Sequence, residues 1–552
     1  MDLRKTASQL AKGEIKSVVK DVKVKIERSL NLAGLVIISL AAMIGSGLFV
    51  LPSFTADIMG PGIWMAFLLA GIVVIPGAIS KSELGSAMPS SGGSYVYLER
   101  TFGPLIGTIS GLGLWASFLL KSAFALIGFT AYLYAVTTYF DTTVETLLVS
   151  MVALLVITIL NIYGIKKIKK VQSPILIVTV AVLILICIVQ LFDSSTDFSV
   201  PYNGAIDVVK NDPLLLGEAA ALVIIAYSGI IKVGAIGGEV KDPEKNLPSG
   251  IIISLSAAIL LYCFVTFVMM ASVPGEWWLN DGGEPREDSV FAFVDAVAGT
   301  KIGIFMAILA ILTMISGALA GVLASSRFLF AMSRDNLLPQ ALEDVNARFE
   351  TPHWAIIITS LTMAACIILL PVKDVAKLAS GFQIMVFVLI NISVIVLRRA
   401  NFAHGWYHPK YKSPLYPWLQ IFGVISGTYL VYLMGQKAIL GAFAAFIIGA
   451  VTYYSYGVKH SHIRTTPFDT FMKMLSESDP TQRTIREAAF HAADLGGKNH
   501  LTLREFIAAL KALHFTFTND EYRDIFHHVD KEENGYIDID QFLAFIYIAE
   551  EE

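Results

Sequence analysis

Cysteine and charge are what this chain has least of. It holds 3 cysteines in 552 residues. Cys187, Cys263 and Cys366 all lie inside apolar runs, which excludes a disulfide framework and leaves packed thiols. Charged residues make up 16% of the chain, against about a quarter in soluble proteins. The net charge of -4 removes the electrostatic basis for a nucleic-acid partner. No nucleophile–base pair, catalytic metal set or phosphate loop stands out in the apolar part, so no enzyme and no cofactor for the main activity is expected. No ring of like charge repeats along the apolar runs, which argues against a channel.

What is abundant is apolar sequence, 55% of the chain. Stretches of about twenty such residues can each cross a hydrocarbon core of about 30 Å. About twelve are legible, with cores near 32–57, 62–80, 105–136, 145–163, 174–192, 214–237, 250–273, 302–332, 354–371, 377–397, 416–434 and 437–456. Basic residues mark one set of loops: the N-terminal segment from Arg4 to Arg28, Lys166-Lys167-Ile168-Lys169-Lys170, and Arg398-Arg399 through Lys412. The alternate set, Asp141–Glu145, Asp193–Asp212 and the acidic loop 276–300, is poor in them. Basic loops stay cytoplasmic, so both termini are expected there, in a plasma (inner) membrane. The polar leader is rich in Lys and Glu, unlike a cleavable signal. The expected organisation is a cytoplasmic segment 1–30, a transmembrane domain 31–458, a linker 459–481 and a soluble helical tail 482–552.

The first apolar run contains Met43-Ile44-Gly45-Ser46-Gly47-Leu48-Phe49 in its middle. Each glycine would weaken a helix by roughly 1 kcal/mol. At membrane mid-depth, open backbone is tolerated only where it faces protein or a water-filled cavity. The sixth run breaks too, at Ala226-Tyr227-Ser228-Gly229. Breaks five spans apart fit two inverted five-span repeats that each begin with a discontinuous helix. Half-helix N-termini then face an anion and half-helix C-termini offer carbonyls to a cation. The carboxylate and ammonium of an amino acid suit that geometry. The plain alternative is that these glycines only let helices pack closely.

These residues resemble the amino acid–polyamine–organocation superfamily of permeases. The resemblance rests on the first break, on Pro89-Ser90-Ser91-Gly92-Gly93-Ser94-Tyr95-Val96-Tyr97 with Phe102-Gly103-Pro104, and on the second break. It rests also on Glu239-Val240-Lys241-Asp242-Pro243-Glu244-Lys245-Asn246-Leu247-Pro248 and on Ser325-Ser326-Arg327 through Asp335. It implies an all-α leucine-transporter-type fold, alternating access, and substrate held between spans one and six. The backbone amides of Gly45, Ser46 and Gly47 would then take the carboxylate. Carbonyls around Ala226, Tyr227 and Ser228, with that of Ile44 or Met43, would take the amine. Side chains near Ser228, Gly229, Ile230 and Ile231, with Ala123 and Phe124 of span three, would shape the pocket; their small or apolar character tilts it toward neutral amino acids.

Lysines within the spans bear on coupling, since a charge at mid-depth costs about 3 kcal/mol or more unless paired or neutral. Lys121 lies centrally in span three, and Lys232 follows the second break. Either could carry a proton, or form a structural pair with Glu83 or Glu239. Relatives coupled to sodium place neighbouring hydroxyls on span eight; here Ser316 is followed by Gly317. Some proton-linked relatives place a lysine in span five; here Thr179 holds its middle. Proton symport, exchange and sodium symport stay open, in that order.

The tail carries Asp530-Lys531-Glu532-Glu533-Asn534-Gly535-Tyr536-Ile537-Asp538-Ile539-Asp540-Gln541. Asp530, Glu532, Asn534, Tyr536 and Asp538 stand where an EF-hand loop takes Ca2+. Gln541 replaces the closing bidentate Glu, which lowers the expected affinity. A second loop, Asp494–Glu505, begins thirty-six residues earlier, the spacing of paired EF-hands. Gly496 and Lys498 replace ligands there, so it is read as metal-free. Leu501 and Ile537 should meet between the loops, and His527 and His528 are read as surface residues. The tail either senses calcium or is a metal-independent interaction module. The whole reads as a secondary active amino acid transporter in a lipid bilayer, with a membrane-embedded amino acid receptor signalling through the tail as the alternative.

Overall fold

The computed structural model of the chain describes residues 30–88, 93–137, 143–164, 168–235, 240–346, 348–349, 351–400, 407–460, 466–476, 480–494, 498–513, 515, 517–530 and 534–549. The first apolar run is not one helix. α1 (Leu32–Met43) starts at Asn31, whose side chain accepts from the Gly34 amide, and ends before Ile44. A short α2 (Ser46–Phe49) and α3 (Leu51–Met59) continue it. Then come α4 (Ile63–Ala87), α5 (Ser94–Phe102), α6 (Pro104–Val136), α7 (Thr143–Ile162), α8 (Ile168–Leu191) and α9 (Ser199–Asn211). The sixth run is α10 (Pro213–Val223), a 3-10 segment (Ile224–Ser228) and α11 (Gly229–Ala235). The body closes with α12 (Pro243–Ser272), α13 (Ser289–Ala298), α14 (Thr300–Arg334), α15 (His353–Leu369), α16 (Val372–Arg399), α17 (Trp418–Leu433) and α18 (Gln436–Thr452).

Among the described residues, nine helical stretches are long and apolar enough to cross a bilayer. Leu32–Met43, His353–Leu369 and Trp418–Leu433 fall on expected spans but are shorter. The expected count of twelve therefore exceeds what length and composition alone give, in part because run one is interrupted. α6, the sixth run and α16 are mostly buried, whereas α7, α8 and α18 present apolar side chains such as Leu155, Leu185 and Phe443 outward. Helices apolar all round, with an exposed apolar face, are at home in lipid. α5, α9 and α13 were expected as loop; they are short helices between spans.

The start of span one is tied to the segment after span six. Leu30 bridges Val240 in parallel, and the Lys241 amide donates to the Leu30 carbonyl at 2.8 Å. Asp242, at φ 43°, takes the left-handed turn into α12, a conformation that Asp and Asn adopt more readily than most residues.

The segment expected to be only a polar linker holds α19 (Pro467–Ser476). Its Phe468 and Phe471 pack against the core of the membrane body, chiefly on α5 and α16. The tail follows as α20 (Pro480–Ala493), β1 (His500–Leu501), α21 (Leu503–Ala512), α22 (Asn519–Val529), β2 (Ile537–Asp538) and α23 (Ile539–Ala549). β1 and β2 pair antiparallel with Leu501 opposite Ile537, as the loop spacing predicts. Thr502–Glu505 and Thr518–Glu521 form capping boxes at the starts of α21 and α22. Phe490, Phe506, Phe526 and Phe542 centre the tail's own core.

Candidate substrate-binding site

Both breaks fall where the glycine-containing segments put them. Gly45 is extended at φ −178°, and the amides of Leu48 and Phe49 return to its carbonyl. Among the described residues, the amides of Gly45, Ser46 and Gly47 donate to no backbone carbonyl, as expected at a helix start. Two glycines bring the broken segments together. A Cβ on Gly47 would stand 2.7 Å from Ala226 Cβ, and one on Gly229 would stand 2.5 Å from the Ser39 carbonyl oxygen.

The carbonyls freed by the break in span six are taken by side chains of other helices, as buried backbone requires. Ser380 Oγ donates to the Leu222 carbonyl at 2.7 Å and accepts from the Ile225 amide at 3.2 Å. Gln383 donates to Ile224 at 3.2 Å, and the Tyr262 hydroxyl to Ala226 at 3.3 Å. Lys81, fully buried on α4, donates to the Ile231 carbonyl at 2.8 Å. Tyr227 turns its hydroxyl away, to the Phe67 carbonyl at 2.7 Å.

Lys121 joins the two breaks. Its Nζ donates to the Ala42 carbonyl at 2.7 Å, the Ile225 carbonyl at 3.2 Å and Ser228 Oγ at 2.5 Å. Beside it lies a cavity of about 30 Å³ walled by Ile44, Gly45, Ser46, Phe118, Ser122, Ala125 and the α14 glycines Gly317 and Gly321, among others. That is room for about one water. Phe118, Lys121, Ser122 and Ala125 follow the i, i+3, i+4, i+7 spacing of one helix face. Ala123 and Phe124, expected to shape the pocket, lie off that face, and Phe124 packs edge-on against Phe54.

Larger cavities stand at either end. One of about 850 Å³ is lined by Ile127, Thr130 and Tyr134 of α6 and by the Asn280–Asp288 loop with Asp281, Glu284, Glu287 and Asp288. Another of about 610 Å³ is lined by Asp242–Lys245, Ser249, Lys410 and Tyr411. Burial and the neighbouring Asp288 and Glu284 raise the Glu287 carboxyl to about 7. On the first side, the Tyr132 hydroxyl donates to the Phe49 carbonyl at 2.7 Å and accepts from the Val290 amide at 3.0 Å. Ser289 Oγ donates to the Val50 carbonyl at 3.2 Å. On the other side, Ser39 Oγ donates to Ser254 Oγ at 2.8 Å, and Lys410 pairs with Glu244.

The remaining sequence candidates are not gathered at the breaks. Glu83 does not pair with Lys121: its buried carboxylate accepts from Arg398 Nε and Nη2 at 2.7 Å each, from the Tyr407 hydroxyl at 2.7 Å and from Ser413 Oγ at 2.6 Å. Glu218, not among those candidates, pairs with Lys377 at 2.8 Å near the start of the sixth run. Thr179 donates to Ile175 and stands 3.4 Å from Thr313 Oγ1. Ser316 Oγ is buried with no hydrogen-bond partner among the described residues. The side chain of Lys232, like Glu239, lies outside the described residues. Lys81 was missed, because a lysine just after an apolar run reads as the end of the span.

In the tail, Asp530 accepts from the Asn534 amide at 3.1 Å and the Gly535 amide at 2.8 Å, with Gly535 at φ +80°. Asp494 accepts from the Lys498 amide at 3.1 Å and the Asn499 amide at 2.8 Å. Both loops thus fold back on their first aspartate, and Asn499 takes the left-handed turn at φ 57°. Gln541 Oε1 accepts from the Asp538 amide at 3.0 Å, which turns it to the start of α23. The oxygen donors Asp530, Asn534 and Asp538 suit a hard cation; Glu532 lies outside the described residues. No group of three or more His, Cys, Asp or Glu converges among the described residues. His527 and His528 are exposed.

Many apolar helices around two interrupted ones define a multi-pass membrane permease. More particularly, the chain belongs to the amino acid permease family, whose model matches residues 30–454. An EF-hand domain pair matches residues 482–547. The chain is 28% identical to the branched-chain amino acid permease BcaP of Bacillus subtilis (strain 168) over 452 residues, 79% of this chain and 95% of that protein. It is 27% identical to the methylthioribose transporter of the same organism over 456 residues, 79% and 94% of the two chains. It is 27% identical to the serine/threonine exchanger SteT, also of Bacillus subtilis, over 407 residues, 71% and 87% of the two chains.

Proposed function

We propose that this protein is a secondary active transporter that moves neutral amino acids across a plasma (inner) membrane by alternating access, both termini being cytoplasmic. The observation that carries this is the pair of breaks, with amides of Gly45, Ser46 and Gly47 that donate to no backbone carbonyl among the described residues on one side and carbonyls of Ala42 and Ile225 on the other. The amides take the carboxylate, the carbonyls the ammonium, and the apolar walls at Ile44, Phe118, Ala125 and Met314 favour an uncharged side chain. BcaP and SteT, by their names, carry branched-chain and hydroxyl amino acids, both neutral. The cavity between the breaks is small and the end cavities large, which fits a carrier closed over its site. Coupling is to protons or by exchange. The relatives are transporters by name, so the receptor alternative is set aside.

The EF-hand pair modulates this transport. Asp530, Glu532, Asn534 and Asp538, with the Tyr536 carbonyl, would hold Ca2+ weakly, because Gln541 is a neutral twelfth ligand. α19 is the path to the body. Counterflow in liposomes tests the transport reading: purified protein should accumulate labelled leucine or serine against unlabelled amino acid inside. Binding without accumulation would contradict it.

A further inference from the structure

The position expected to hold the substrate's ammonium already contains one. Among the described residues, Lys121 Nζ donates to two break carbonyls and to the Ser228 hydroxyl. An α-ammonium would seek the same acceptors: main-chain oxygens at the end of α1 and in the 3-10 segment. Two such cations cannot share them, since like charges at hydrogen-bond range repel strongly away from bulk water.

We propose that Lys121 is a tethered stand-in for the substrate's ammonium, so that a zwitterion enters the site only as the lysine gives up a proton. With no substrate, the lysine ammonium bridges Ala42 and Ile225 and holds spans one, three and six together. On binding, the N–H bond of Lys121 breaks, the electron pair stays on Nζ, and the proton leaves to water. The substrate ammonium then takes the carbonyls, and neutral Nζ remains as an acceptor beside it. Proton and substrate are therefore competitors at one site. The empty carrier returns as a cation, and each cycle exchanges one zwitterion for one proton moving the opposite way.

The surroundings single out Lys121 for this role. Among the described residues, its cavity is walled by Ala41, Ala42, Ile44, Phe118, Met314 and small residues, with no other titratable group. The titratable groups that face the broken segment are otherwise engaged: Tyr227 of the segment itself with Phe67, Tyr262 of α12 with Ala226 and Lys81 of α4 with Ile231. Glu218, at the start of the broken run in α10, is bound to Lys377, and on α4 Glu83 is bound to Arg398. The Lys232 side chain is outside the described residues.

This inference rests on the amino acid reading above, and the test separates the two. Purified protein in weakly buffered detergent is mixed with L-leucine or L-serine while a pH indicator follows proton release. Binding is titrated across about pH 5.5 to 8.5, where an affinity that depends on losing one proton rises by about tenfold per pH unit. Wild-type protein should release one proton per amino acid bound. Lys121→Met should bind with no release and no pH dependence. Lys121→Arg, whose cation cannot be discharged, should remain folded by thermal melting yet bind neither amino acid. Wild-type binding without proton release, at an affinity flat with pH, would overturn the stand-in and leave transport standing. Tight binding of the 2-oxo acid of leucine, with no binding of leucine itself, would overturn both.

Discussion

Arg398 grips Glu83 through two parallel bonds of 2.7 Å, joining α16 to the end of α4. The pair is completed by Tyr407 and Ser413, and Arg398 also lies 4.3 Å over the Tyr416 ring. Removing one partner of such a buried pair strands a charge, at a cost of about 3–5 kcal/mol. Arg398→Met should therefore lower the melting temperature of the purified protein sharply, and Glu83→Gln should lower it less. Unchanged melting in Arg398→Met would show that the pair does not hold these helices.

The two glycines of the first break should behave oppositely. Alanine at Gly47 would press on Ala226 Cβ at 2.7 Å and Cα at 2.9 Å, whereas at Gly45 nothing among the described residues lies within 4 Å and the backbone is extended. Gly47→Ala should abolish uptake in protein that still inserts, while Gly45→Ala keeps most of it. Equal rates for the two variants would contradict the close approach of the breaks.

How much of this could be read from the chain follows from the range of the interactions. The breaks were legible because glycine within an apolar run is a local signal, and the EF-hand pair because its loops repeat at a fixed spacing. The cavity face of α6 was also local: Phe118 precedes Lys121, and Ser122 and Ala125 follow it, on one helix face, and that count would have found them. The pairing of Glu83 with Arg398 was not legible, since those residues are 315 positions apart and any basic residue could have served. Nor was the docking of α19, whose two phenylalanines sit in a segment polar by composition.

Glu99 gives a pH dependence outside the spans. Burial, with Asp335 nearby, raises its carboxyl from the ordinary 4.5 to about 7. The folded protein then keeps a proton that the unfolded chain has already lost, so stability falls as pH rises between those values. Melting temperatures of wild type and Glu99→Gln, followed across that interval, should diverge in the variant's favour toward neutral pH. Parallel curves would remove the assignment.

Phe468 packs edge-on to Phe102 with centroids 5.3 Å apart, which seats α19, the helix ahead of the tail, on the membrane body. Uptake by full-length and tail-deleted protein, with calcium and with chelator, should differ only for the full-length chain. Phe468→Ala should erase that difference. Four matching rates from the first two proteins would end the regulatory role.

The central claim is that main chain at two interrupted helices holds a zwitterion. A cryo-EM map of the protein with leucine bound tests it directly. The carboxylate should lie on the amides of Gly45, Ser46 and Gly47, and the ammonium on the carbonyls of Ala42 and Ile225 with Lys121 displaced. Leucine density elsewhere, or helices wound without interruption through Ser46 and Ser228, would contradict it.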